Sequence, residues 1–341
     1  MIYFLLSLVL ASNTNIESDF VDIECDNDYL SELNEYEYLK EYDSFIESYN
    51  RHYDNNEYWE RYYIFKENLI HINDINSQNK SYKLGINNFT DLSHSEFQII
   101  YNKLSINIDK LNNTHNYEYR NRDIPLNIDW RASNMVTDVK DQGQCGSCWA
   151  FSAIGAIEGQ HSKNTSKLVS LSEQDLVDCV NSTYNCMGCN GGWPDKAMQY
   201  VIDTQGVDSE SSYPYKGIDN SCNYNNSYNS ANISKVVLLP SGNMTTLYNA
   251  LGHIGPLSVA LDAEYDFQLY KSGIFESTEC SQSQLDHAVL AVGYGVSADG
   301  KKYLIIKNSW NTIWGMNGYI YYSADIDNMC GIASHVSYPI V

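Results

Sequence analysis

The sequence predicts an α+β fold in which a helical half precedes a strand-rich half, with a separate helical segment in front of both. Three observations carry this. Between residues 36 and 77, Tyr38, Tyr42, Phe45, Tyr49, Tyr58, Tyr62, Phe65, Leu69 and Ile72 recur mostly at gaps of three and four, the spacing of one helix face. Residues 148–160 read as a buried helix, with Ala150, Ala153 and Ala156 small enough for close packing. Towards the C-terminus, residues 257–261, 287–294, 302–307 and 318–322 are β-branched or aromatic runs bounded by Gly and Asn, as strands are.

Taken in order, the chain opens on an apolar run, residues 2–10, that ends in Val9-Leu10-Ala11. Residues 1–11 are expected to be a signal peptide. An acidic leader follows over 12–35, and residues 17–47 hold 12 acidic side chains against one basic, a solvated composition. The helical pattern spans 36–77. Residues 99–123 are polar, Asn-rich and irregular and end in Arg120-Asn-Arg-Asp123, which reads as an exposed linker open to cleavage. The main domain is expected over 124–341. Within it a second helix is predicted over 172–179, because Ser172 can cap it with Asp175 three residues on.

The 341 residues hold 21 basic and 43 acidic side chains, a net charge of −22. That balance argues against nucleic acid or an anionic membrane as a partner. No apolar stretch past the N-terminus is long enough to span a bilayer. Residues 1–123 carry 10 basic and 22 acidic groups, and residues 124–341 carry 11 and 21. Both parts are negative, so bulk attraction cannot dock one on the other; packing and local contacts must. Nine Cys are present, so at least one thiol is unpaired, and a secreted chain makes disulfides the default. Sequons at Asn112, Asn164, Asn181 and Asn232 point to the same secretory route.

The chemistry is concentrated in Gln142-Gly-Gln-Cys-Gly-Ser-Cys-Trp-Ala-Phe. Cys148 sits at the first turn of the buried helix, where the partial positive charge favours a thiolate. His287 lies further along in Leu285-Asp286-His287-Ala288, and Asn308 in Lys307-Asn308-Ser309-Trp310. Singly, each has an ordinary reading: a disulfide half, a core histidine, a turn asparagine. Zinc is an alternative, since Cys145-x-x-Cys148 and Cys186-x-x-Cys189 form two CxxC pairs. The 37 residues between them exceed the usual ribbon spacing and contain a predicted helix, so no metal or cofactor is expected.

Jointly, in this order and context, these residues resemble the papain-like cysteine protease family. Glu57, Arg61, Phe65, Asn68, Ile72 and Asn76, at gaps of 4, 4, 3, 4 and 4, match the family's long pro-helix motif. Gly85-Ile-Asn87-Asn-Phe89-Thr-Asp91 matches its second pro-region motif, and both are those of the cathepsin L-like branch. The resemblance implies a papain-like two-domain fold: a helical left domain, a β-barrel-like right domain and an active-site cleft between them, preceded by an inhibitory pro-domain at 36–98. Ile124-Pro-Leu-Asn-Ile-Asp-Trp130-Arg resembles the start of the mature enzyme, with 99–123 removed on activation.

It further implies an endopeptidase with Cys148 as nucleophile, His287 as its partner, Asn308 orienting the imidazole and Gln142 as oxyanion donor. Trp310 would shield the His–Asn contact. Gly191 and Gly192 resemble the substrate-binding strip, and Trp193, Pro194, Ala260, Leu285 and His335, beside Asp286, the pocket for the residue two before the cut. An apolar residue should fit there. His335 departs from the family pattern, and is expected either to charge in acid and tolerate an acidic partner or to face solvent.

The family pairs Cys145 with Cys189, Cys179 with Cys222 and Cys280 with Cys330. Cys25 and Cys186 fall outside it and could pair, tether the leader or stay free. Acid release of the pro-domain would come from carboxylates that lose their charge, Asp91 among them. Partners would be protein or peptide substrates, the chain's own pro-domain and cystatin-like inhibitors, with the enzyme a monomer. A catalytically silent binding protein on the same fold is the other class, against which Cys148, His287, Asn308 and Gln142 all speak. Tyr338-Pro-Ile-Val341 is no retention tail, which leaves lysosome, acidic vacuole and secretion open.

Overall fold

The structure, a computed structural model, describes residues 33–110 and 115–341. The expected signal peptide, nearly all of the leader, Cys25 and the Asn112 sequon lie outside the described residues.

Two helices stand where the sequence predicts one helical stretch over 36–77: α1 (Glu35–Ser48) and α2 (Asn55–Ser77). The break has a local cause. Asn50 takes a left-handed φ of 49°, and Asp54 then accepts from the N–H groups of Asn56 and Glu57 and starts a new helix. The two helices close on their aromatic faces, with the Tyr42 ring 5.2 Å from Phe65 and 5.4 Å from Tyr62. The polar members of the α2 stripe fasten the rest of the front segment. Arg61 donates to both Glu96 oxygens at 2.9 and 3.0 Å. Asn68 donates to the carbonyls of Thr90 and Leu92 at 2.7 and 3.0 Å. Asn76 donates to the Leu84 carbonyl at 2.9 Å. These contacts hold β1 (Tyr82–Leu84) and α3 (His94–Tyr101), the latter capped by Ser93 with Glu96 closing the box.

The segment read as an irregular, exposed linker is built in at its start, over residues 100–108, and again at Tyr117, and exposed over most of its other described residues. It continues α3 to Tyr101 and forms β2 (Ile106–Asn107), and Leu104, Ile106 and Tyr117 are buried. Arg120, Arg122 and Asp123 are exposed as expected.

After β3 (Ile128–Asp129), the helical half comprises α4 (Cys148–Thr165), α5 (Glu173–Cys179) and α6 (Pro194–Asp203), with a ribbon of β4 (Val207–Asp208) and β5 (Asn229–Ala231). Ser172 caps α5 by accepting from Asp175 N–H at 2.9 Å. The strand half comprises β6 (Lys235–Leu238), α7 (Met244–His253), β7 (Leu257–Leu261), α8 (Tyr265–Gln268), β8 (Tyr270–Phe275), β9 (Gln284–Leu285), β10 (His287–Val296), β11 (Lys302–Lys307), β12 (Tyr319–Ser323) and β13 (Val336–Ile340). Strands dominate as predicted, but α7 and α8 interrupt them.

The main sheet runs β1-β8-β12-β11-β10-β7-β13-β6, with β3 also on β10. It is open: the barrel-like domain does not close by hydrogen bonds from β6 back to β1. The edge strand β1 comes from the front segment and pairs antiparallel with β8, so that segment is stitched into the sheet. Buried α4 lies on β10, and a Cβ on Gly155 would meet Leu290 at 2.8 Å.

A buried charge cluster joins the elements behind the site. Lys140 donates to Glu158 at 3.1 Å, to Glu173 at 2.7 Å and to the Leu171 carbonyl at 3.0 Å. Glu158 also accepts from Thr137 Oγ1 at 2.6 Å and Leu171 N–H at 2.9 Å.

Candidate active site

Cys148 opens α4 and His287 opens β10, and packing the helix on the sheet brings the Cys148 sulfur to the N–H of Ala288, the residue after His287. Cys148 and His287 are fully buried. The His287 Nε2 lies 2.9 Å from Asn308 Oδ1, and its Nδ1 is buried without a hydrogen-bond partner. Trp310 stacks on the imidazole at 4.5 Å and 24°. Asn308 is placed by the β11 end, and its Oδ1 also accepts from Ser309 N–H at 2.8 Å.

Burial sets the electrostatics. It pushes the Cys148 thiol up to about 12, and the Asp286 charge adds to this, while the N–H groups of Ala288, Trp149 and Leu104 oppose it. Burial likewise pulls His287 down to about 4, against the Asn308 contact. In this covered state both groups are neutral.

The cover is residues 101–108. The Gln142 amide is held by Ser309 Oγ, which donates to Oε1 at 2.7 Å. Its Nε2 donates to the carbonyls of Tyr101 at 3.3 Å and Cys145 at 3.0 Å. Leu104 N–H donates to the Asp286 carbonyl at 3.1 Å, and Ile106 pairs antiparallel with Leu285, so β2 adds an edge strand to β9. Gly191 has a φ of 105°, and a Cβ there would collide with the Lys103 carbonyl. Phe89, Phe97 and Tyr101 pack their edges around Trp310 at 5.4, 5.0 and 6.4 Å. The sequence reading missed this cover; the alternation of Leu104 and Ile106 inside polar residues is the signal that could have found it.

Residues expected to line the pocket gather beside this cover. Ala260, Leu285 and Ala288 share a buried cluster with Leu104 and Ile106, and Trp193 packs against it. Gly192 is pressed on the Trp149 ring, which a Cβ there would meet at 2.6 Å. Pro194 is the first residue of α6. Asp286 accepts from Asn102 at 3.1 Å and from Ala263 N–H at 2.8 Å, and burial pushes its carboxyl up to about 7. His335 does not face solvent. It is buried, its Nε2 lies 3.1 Å from Asp195 Oδ1, and Trp193 packs edge-on at 5.7 Å. Asp195 escapes a reading of the sequence, because nothing local links it to a residue 140 positions away.

Disulfides join Cys145 to Cys189, Cys179 to Cys222 and Cys280 to Cys330. One Cys of each CxxC pair is thereby consumed, so the pairs cannot offer four thiolates to zinc. Among the described residues Cys186 has no disulfide partner, and its buried sulfur lies against the backbone of Tyr184 and Trp193.

Residues 124–340 match the family described as papain family cysteine protease, and residues 42–97 match the cathepsin propeptide inhibitor domain. Cathepsin L of Sarcophaga peregrina is 44% identical over 290 residues, covering 82% of this chain and 85% of that protein. A cathepsin L-like peptidase of Aedes aegypti is 45% identical over 271 residues, covering 77% and 80%. Among solved structures, digestive procathepsin L 3 of Tenebrio molitor larval midgut superposes with a TM-score of 0.83 at 39% identity, covering 89% of this chain and 99% of that one. Recombinant stem bromelain precursor gives 0.81 at 39%, with the same coverage.

Proposed function

The chain belongs to the papain family of cysteine proteases, as a cathepsin L-like zymogen carrying its own inhibitory propeptide, and we propose that Cys148 and His287 perform the peptide hydrolysis. Once the cover leaves, water returns and the thiol proton passes to His287 Nδ1. The thiolate adds to the scissile carbonyl, forming a C–S bond. The resulting oxyanion is held by Gln142 Nε2–H and Cys148 N–H. The imidazolium then gives its proton to the leaving amine as the C–N bond breaks. Water, deprotonated by His287, cleaves the thioester and restores the thiolate. Asn308 keeps Nε2 engaged so that Nδ1 faces the sulfur.

One observation carries this reading: residues 101–108 cover Cys148 and occupy the Gln142 amide, the atoms a substrate would need. An apolar side chain two before the cut is supported by Ala260, Leu285 and Trp193 around Leu104 and Ile106. Maturation near residue 124, an acidic working pH, a monomeric enzyme, cystatin-like inhibitors and a lysosomal, vacuolar or secreted site belong to the same proposal. The test incubates the precursor and its Cys148→Ser variant at about pH 4.5 with a mild reductant and a fluorogenic peptide bearing an apolar P2 residue. Activity should appear as the N-terminal part is lost, and be absent from the variant. Hydrolysis by Cys148→Ser, or an inert precursor whose Cys148 never alkylates, would reject it.

Acid release is assigned differently from the sequence expectation. Burial holds Asp91 above the usual carboxylate range, against Arg51 and Tyr53. A carboxyl whose pKa is raised in the closed form is protonated more readily there, so falling pH favours closure through Asp91. Asp266 has the opposite sign. Burial alone would raise it, but hydrogen bonds from His71 and Tyr82, both at 2.5 Å across the pro–mature seam, hold it low. Its stabilisation is complete above the ordinary carboxylate value of 3.8 and is lost only as pH falls below that, so Asp266 still holds the pro-domain at about pH 4.5 and lets go in stronger acid. Asp266→Asn should weaken docking about tenfold and move processing to higher pH, while Asp91→Asn should not. Gel-resolved processing against pH decides; superimposable curves for Asp266→Asn and wild type would reject the assignment.

A further inference from the structure

The start of α4 carries a serine in the capping position that does not cap. Ser147 precedes Cys148, yet its side chain makes no cap hydrogen bond, and its backbone (φ −101°, ψ 15°) is outside the extended region usual for a cap. An N-cap serine ordinarily accepts from the N–H of the second or third helical residue, here Trp149 or Ala150. The hydroxyl is instead 2.6 Å from the Tyr215 hydroxyl. Tyr215 in turn donates to the Gln142 carbonyl at 2.8 Å. With the Tyr215 proton on the Gln142 carbonyl, the Ser147 proton has two acceptors, the Tyr215 oxygen at 2.6 Å and, more distantly, the Cys145 carbonyl at 3.5 Å. One phenol therefore ties the backbone of the oxyanion donor to the residue before the nucleophile.

This leaves the helix end partly unsatisfied. Ala150 and Phe151 N–H bond the Ser147 carbonyl at 2.8 and 3.2 Å. No side chain caps the N–H groups of Cys148 and Trp149, the two that face the chemistry. Trp149 N–H is among the groups that favour the Cys148 thiolate. The Tyr215 ring is itself held, edge-on to Phe151 at 4.9 Å and with its backbone N–H on Glu210 Oε1 at 2.8 Å.

From this geometry we infer that Tyr215 is a positioning residue for the hydrolysis: it withholds the Ser147 hydroxyl from the helix terminus, leaving Trp149 N–H for the sulfur, and it anchors Gln142. The inference rests on the assignment of Cys148 as nucleophile and Gln142 as oxyanion donor. Charged and titratable groups around the two centres are Asp286 at the sulfur, with His287 next in the chain, and Asp141, Glu173, Glu210 and the Cys148 thiol near Tyr215.

The experiment uses the full-length precursor, matured in acid, as Tyr215→Phe, Ser147→Ala, the double variant and Cys148→Ser. Tyr215→Phe keeps the ring and frees the Ser147 hydroxyl to cap Trp149 N–H. Its kcat should fall about five- to tenfold with KM unchanged. The acid limb of kcat/KM should move up by about half a pH unit. In the double variant no hydroxyl remains to recap the helix, so the acid limb should return to wild type while kcat stays low. Ser147→Ala alone should leave the acid limb in place. A Tyr215→Phe enzyme with wild-type kcat and acid limb overturns the inference, as does a double variant whose limb stays displaced. If Tyr215→Phe does not mature, Ser147→Ala decides: an unmoved limb supports the inference and a displaced one rejects it. Activity in Cys148→Ser would instead bring down the underlying assignment.

Discussion

Iodoacetamide at pH 7 should alkylate Cys148 in the mature enzyme about 10⁴-fold faster than in the precursor. In the precursor the thiol is pushed up to about 12 by burial and the imidazole is pulled down to about 4, so the pair is neutral. At pH 7 the thiolate fraction of such a thiol is about 10⁻⁵. Removal of residues 101–108 returns water to the sulfur and to Nδ1, lifting the desolvation that caused both shifts. The pH dependence has opposite shapes. The precursor rate should climb about tenfold per pH unit from 7 upward, because it follows the rare thiolate. The mature rate should be flat there, because its ion pair is already formed. Cys186 is an internal control, since burial also pushes its thiol up to about 12 and it is part of the fold in both forms. Peptide mapping of the label, with a gel confirming that the precursor stays intact, reads the result. Equal rates at Cys148 in the two forms would show that latency is steric alone.

Lys140→Met should destabilise the mature domain by about 3–5 kcal/mol, a fall in Tm of about 10 °C at pH 7. One ammonium serves both Glu158 and Glu173, whose side chains are all but fully buried. Removing it leaves two carboxylates, 15 residues apart in sequence, without their ion-pair partner, and with Lys307, which donates to Thr137, as the remaining nearby cation. Thr137 and Leu171 N–H still serve Glu158, whereas Glu173 Oε2 already has no partner, so Glu173 should bear more of the loss. Burial raises Glu173 and Lys140 opposes that rise, so without the lysine Glu173 should protonate at still higher pH. The defect should therefore shrink in acid, where protonation removes the unpaired charge. Melting curves at pH 7 and pH 4.5 test this; a loss equal at both would mean that packing of the lysine stem, and not its charge, is what matters.

Much of the site was legible in the residues themselves. Cys148 at a helix start, the small residues behind it and the glycines at 191 and 192 are local features, each imposed by helix polarity or by the absence of a Cβ. The α2 stripe was legible for the same reason, since helical spacing alone puts Arg61, Asn68 and Asn76 on one face. The break between α1 and α2 was not read, because the aromatic periodicity continues across a cap that only side-chain hydrogen bonding selects.

The amino-acid sequence by itself determined the helical and strand halves, the residues proposed to react and the presence of a helical front segment. Those depend on periodicity, capping and residue chemistry, which act over a few residues. Tertiary structure alone decided that residues 101–108 cover the thiol, that His335 lies against Asp195, that Tyr215 bridges Ser147 and Gln142, and that Asp266 and Asp91 are shifted in opposite directions. Each of these depends on burial and on a partner tens to nearly two hundred residues away. Desolvation and hydrogen bonding are set by what surrounds a group once the chain has closed, and no local pattern encodes that environment.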